Sequence, residues 1–114
     1  MGWATRHIST LKSGKSVEFR PKGASMSGII ENNDLVCVEP LNGYIPKKGD
    51  IVLCKVQGNE YLHKVTAVRE NACQISNNRN YVNGWANLDS IYGICVSIEG
   101  RIILRSKNEI ENSM

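Results

Sequence analysis

A chain of 114 residues is the length of one compact domain, and 41% apolar residues are enough to fill one modest core. The net charge of +3 is scattered along the chain rather than gathered in blocks, which is too weak a signature for nucleic-acid binding. No apolar run has membrane-spanning length, and the first twenty residues lack the apolar centre of a signal peptide. A cytoplasmic protein without a membrane anchor is therefore expected. Cys37, Cys54, Cys73 and Cys95 lie far apart in apolar surroundings and read as reduced core thiols. With only His7 and His63 present, a multi-histidine metal centre is not expected, and no cofactor is implied.

In chain order, residues 1–16 are mixed and polar, with Ile8 and Leu11 among basic and small residues; the pattern fits a short helix or a loose arm equally. Val17-Glu18-Phe19-Arg20 alternates as a short strand. After Pro21 comes a small-residue turn, Gly23-Ala24-Ser25-Met26, then the apolar pair Ile29-Ile30 and the polar turn Glu31-Asn32-Asn33-Asp34. Leu35–Val38 and Ile51–Val56 read as buried strands separated by turn-rich punctuation. Gln57-Gly58-Asn59-Glu60 reads as a hairpin turn into the strand Tyr61–Val68. Cys73–Ser76 is another strand, and the amide-rich run Asn77–Trp85 is expected to be a structured loop. Ile91–Ile98 and Arg101–Arg105 form a closing hairpin, and residues 107–114 read as a frayed tail. Six or seven short strands with regular turns and little helical period predict a single all-β domain over residues 1–114, a small antiparallel barrel or sandwich.

The chemistry centres on Ser25. Its Gly and Ala neighbours leave its hydroxyl open to a bulky substrate, but a serine hydroxyl needs a base beside it to become a nucleophile at neutral pH. His63 and Lys64 are the candidates, and strand alternation lets only one of the two face Ser25.

Three segments in order resemble the serine peptidase superfamily of signal peptidases and LexA-type self-cleaving repressors. The first is Gly23-Ala24-Ser25-Met26 with Ile30, Asn33-Asp34 and Val36. The second is Gly49-Asp50-Ile51-Val52 with Tyr61-Leu62-His63-Lys64-Val65. The third is Ser76-Asn77-Asn78-Arg79-Asn80, followed by the closing strand Ile91-Tyr92-Gly93. Together they cover residues 17 to 98, and they imply a barrel of the LexA C-terminal or signal-peptidase type.

Carried onto this sequence, the resemblance makes Ser25 the nucleophile and His63 the general base, where many relatives have lysine. Histidine at this position has precedent in archaeal and endoplasmic-reticulum signal peptidases. Asn77 stands where those enzymes place an aspartate, so it is the expected orienter of the imidazole. Gly23, Ala24 and Met26 are implied in substrate binding, and Lys64, Asn78 and Arg79 in support of the site. Two departures stand out: Gly28 replaces the family proline, which loosens the loop, and Asn33 replaces a glycine, which asparagine tolerates because it accepts left-handed backbone angles. Asp34 and Asp50 are expected to cap turns, and Trp3, Tyr81 and Trp85 are available to line a peptide groove.

The expectation is thus a serine endopeptidase acting through a Ser–His dyad on a peptide or protein substrate, itself included, from a phage, prophage or bacterial source. The alternative is a member of the fold with little or no catalysis that binds a peptide or protein. No nucleic-acid partner is expected, and a homodimer is in keeping with how such relatives assemble.

Overall fold

A computed structural model describes residues 2–103. Its order is helix α1 (Thr5–Lys12), strands β1 (Val17–Phe19), β2 (Val36–Pro40), β3 (Ile51–Val56), β4 (Asn59–Val68), β5 (Ala72–Ser76) and β6 (Val82–Asn87), a 3-10 turn (Leu88–Ser90), then β7 (Ile91–Ile98) and β8 (Arg101–Ile102). The domain is mainly β, as expected. Its strands form one eight-stranded antiparallel sheet in the order β1-β2-β7-β3-β4-β5-β6, with β8 beside β7. The sheet does not close into a barrel: β1 and β6 end the path without pairing to each other. β1 has only three residues, and helix α1 packs beside it.

Strand β3 explains how one sheet supports two cores. It is buried on both faces, so successive side chains enter different clusters. Ile51 and Leu53 join Ile8, Leu11, Val36 and Val38 beneath the helix. Val52, Cys54 and Val56 join Val65, Cys73 and Ile75 toward β5 and β6. All four cysteines are free thiols and three are buried; burial pushes Cys54 and Cys95 up to about 12, so both stay protonated at neutral pH.

Of the two readings for the N-terminal residues, the helix forms. Ala4, Ile8 and Leu11 recur at helical spacing and are buried on one face. No side chain of its own caps it. Instead the Glu60 carboxylate, at the start of β4, accepts from the Ala4 backbone N–H (2.6 Å) and the Thr5 hydroxyl (2.9 Å). An anion at a helix start satisfies orphan N–H groups and opposes the dipole. Leu11 seats on the sheet at Gly93, where a β-carbon would lie 2.7 Å from Val38 Cγ1 and 2.8 Å from the Glu39 carbonyl.

One further correction concerns a boundary. The amide-rich run is a loop only as far as Tyr81; Val82–Asn87 is strand β6, paired with β5 through a bulge at Ile75/Ser76. The far end of the closing hairpin and the proposed 107–114 tail lie outside the described residues.

Candidate active site

The serine turn lies between β1 and β2 and is held from both sides. Met26 and Ile30 are each 4% exposed and anchor it in the core beneath the helix. On the outer side, Asn32 Oδ1 accepts from the Gly23 N–H at 2.8 Å, and the Glu31 carboxylate accepts from the Ser27 hydroxyl and the Gly28 N–H, both at 2.7 Å. Those two bonds hold the Glu31 carboxyl below its ordinary value. Asn33 has φ 71°, the left-handed geometry expected of it, and Lys22 Nζ donates to its side-chain oxygen at 2.7 Å. Asp34 and Asp50 cap turns as expected, accepting from the backbone N–H groups of Glu31 and Lys47 respectively.

Gly28 does not loosen this turn. Its φ is +99°, which a proline cannot adopt, and a β-carbon there would lie 3.0 Å from Asn78 Nδ2. Asn78 is the tether: its backbone N–H donates to the Ser25 carbonyl (2.9 Å) and its side-chain amide to the Ser27 carbonyl (2.8 Å). Lys64 Nζ donates to Asn78 Oδ1 at 3.1 Å. Both residues therefore support the serine turn, and Lys64 is engaged with Asn78 rather than with Ser25.

Strand β4 delivers His63 to Ser25. The Ser25 hydroxyl lies 3.1 Å from His63 Nε2, and His63 Nδ1 lies 2.7 Å from Asn83 Oδ1. An amide oxygen can only accept, so Nδ1 carries the proton and Nε2 presents its lone pair to the serine. That is the tautomer a general base needs. His63 is 7% exposed and stacks on Tyr61 with ring centroids 4.9 Å apart. Burial holds its pKa below the ordinary 6.5, and the Asn83 hydrogen bond opposes part of that shift.

The orienting residue is thus Asn83 on β6, not Asn77. Asn77 turns its side-chain oxygen inward on its own loop, accepting from the N–H groups of Arg79 (2.8 Å) and Tyr81 (3.0 Å). It is a turn cap. Arg79 exposes its side chain and lends the loop only its backbone N–H.

Ser25 and His63 open onto a cleft of about 670 Å³ whose apolar lining includes Trp3, Phe19, Met26, Ile30, Tyr61 and Leu62. Gly23 also lines it, whereas Ala24, though exposed, does not. Met26 contributes as buried floor. Of the other aromatic candidates, Trp85 lies beneath the Arg69 guanidinium at 3.8 Å and Tyr81 is 66% exposed outside the cleft. No cluster of three metal-ligating side chains occurs among the described residues, and no helix among them is long and apolar enough to cross a membrane.

No protein-family model, curated protein sequence or solved structure matches this chain.

Proposed function

We propose that the chain is a serine endopeptidase of the signal-peptidase and LexA type, working through Ser25 and His63. One observation carries this reading: an accessible serine hydroxyl lies 3.1 Å from an imidazole nitrogen whose lone pair is freed by Asn83 on the opposite side of the ring. In the reaction, Ser25 Oγ attacks the scissile carbonyl carbon while its proton passes to His63 Nε2. His63 then gives that proton to the departing amine as the C–N bond breaks, leaving an ester on Ser25. Water attacks the ester, passes a proton through His63, and restores the serine hydroxyl. The Ser25 backbone N–H has no internal acceptor among the described residues, so it is free to donate to the developing oxyanion.

A second reading has a specific observation behind it. The group on His63 Nδ1 is an amide, which orients the ring but gives no charge to stabilise an imidazolium. On that reading the same fold binds a peptide or protein and cleaves slowly or not at all.

Mass-spectrometric profiling of a diverse peptide pool, with Ser25→Ala and His63→Ala proteins alongside, separates the two. Cleavage by the native chain that both substitutions abolish establishes the peptidase. Uncut peptides across pH 6 to 9 reject it in favour of binding.

A further inference from the structure

We infer that the cleft beside Ser25 is a specificity pocket for a large apolar side chain of an extended peptide, and that the segment around Trp3 is one of its walls. The inference rests on the peptidase reading for its location, but the shape and lining of the pocket argue for it separately.

The chain builds this wall at some expense of polar groups. Glu60, only 8% exposed, uses both carboxylate oxygens to fix the segment, one on the Ala4 N–H and one on the Thr5 hydroxyl. Its backbone carbonyl accepts from Trp3 Nε1 at 3.2 Å, which fixes the orientation of the indole. Gly2 passes so close to the Glu60 carboxylate that a β-carbon there would overlap Oε1. The indole then meets Phe19 at 5.7 Å between ring centroids, and Phe19 is backed by His7, stacked at 4.3 Å.

The result is an aromatic wall held by hydrogen bonds at its edge, with Trp3 still 53% exposed. Tyr61 and Leu62 on β4 and Met26 and Ile30 under the serine turn complete the lining. A volume of about 670 Å³ falls in the range of small-ligand sites and is far more than an alanine methyl needs. The charged groups near the rim are already engaged: Lys22 with Asn33, Glu31 with Ser27 and Gly28, and Arg20 with Glu99. The lining left for a ligand is predominantly apolar and continuous with the reactive hydroxyl.

The test uses the full chain carrying Ser25→Ala, so that peptides bind without being cut. Acetylated, amidated hexapeptides that differ only in one residue, Ala, Leu or Phe, are titrated while the indole N–H resonances of Trp3 and Trp85 are followed by NMR. The expected result is a shift of the Trp3 resonance, with Leu or Phe peptides binding at least about tenfold more tightly than the Ala peptide. Trp3→Ala and Phe19→Ala should each erase the preference. Equal affinity for the three peptides, or no Trp3 shift at millimolar peptide, overturns the pocket. A Trp3 shift that depends on protein concentration alone assigns the cleft to a second copy and also overturns it.

Cleavage data on the native chain separate this from the reading it rests on. Ser25-dependent cleavage after small residues only would keep the peptidase and reject the pocket. Selective binding of bulky peptides without cleavage would keep the pocket and reject the peptidase.

Discussion

Asn83 decides how the Ser25–His63 pair responds to pH. Because it offers a neutral oxygen, burial remains the larger influence on the imidazole and holds it below 6.5. A base must be unprotonated, so kcat/KM for any cleaved peptide should rise with pH along a limb centred below 6.5 and stay level through neutrality. Asn83→Asp adds a negative charge beside Nδ1, favours the imidazolium and should move that limb to higher pH. Asn83→Ala removes the orienting acceptor and should lower kcat more than it raises KM; His63→Ala should cost about 10²–10⁴-fold in kcat/KM. A pH–rate profile of the Asp variant superimposable on the native one would remove Asn83 from this role.

Ser25 and His63 were legible only through the family resemblance, since the small-residue turn alone does not mark a nucleophile and strand alternation left the choice between His63 and Lys64 open. The orienter was not. Asn77, Asn78, Asn80 and Asn83 all fall in one short run, and choosing among them requires knowing that β6 begins at Val82 and pairs with β5 through a bulge. Side-chain identity alone cannot make that choice, since all four offer the same amide. Residues 82–87 read Val-Asn-Gly-Trp-Ala-Asn, with no clean apolar–polar alternation and an exposed Val82, so no local signal marks β6 or picks out Asn83.

At the scale of the elements, the serine turn and helix α1 each depend on a glycine for a different reason. Gly28 must hold φ +99° against Asn78, so Gly28→Ala should both destabilise the protein and displace Ser25. Asn78→Ala keeps the backbone bond to the Ser25 carbonyl and loses only the exposed side-chain bond to Ser27 and the one from Lys64. It should cost about 1 kcal/mol and reduce kcat, while peptide binding to the cleft is retained.

Gly93 is an ordinary extended residue that is glycine because a β-carbon there would be crowded by both the paired strand β2 and the helix. The atoms a β-carbon would meet there include a backbone carbonyl as well as Val38 and Leu11 side chains, and a backbone atom does not yield cheaply. Gly93→Ala should therefore destabilise by about 1–3 kcal/mol, read as a lowered urea midpoint at unchanged slope. An unchanged midpoint would mean that β2 and α1 both give way without cost. Apart from β6, the strands could be read from alternation and turn residues, but two further features could not. The open sheet depends on which edges meet. The helix depends on Glu60, some 55 positions away in the chain, to satisfy its first N–H groups.

The site spans the whole molecule. Ser25 is seated on the core beneath the helix, Asn83 lies on the edge strand next to the other core, and His63 reaches both from β4. Loss of either half should thus remove the reactive geometry, which ties function to global stability. That stability has a defined pH window. Burial holds both His63 and the half-buried His7 below 6.5, the latter against the opposing pull of Glu60. Between their folded values and 6.5 the unfolded chain binds more protons than the folded one, so stability increases with pH across that interval. The contribution is complete above 6.5 and is lost as pH falls through the folded values. Glu31, held below 4.5, acts in the same direction but at lower pH, and it is fully exposed. The interval just below pH 6.5 therefore belongs to the histidines. Thermal unfolding should give a level Tm from pH 7 to 8 and a falling one toward pH 5, and His63→Gln should flatten that fall more than His7→Gln because His63 is the more deeply buried. A Tm that is constant from pH 8 to 5 would mean that the imidazoles titrate alike in the folded and unfolded chains, and so that His63 is not enclosed as described.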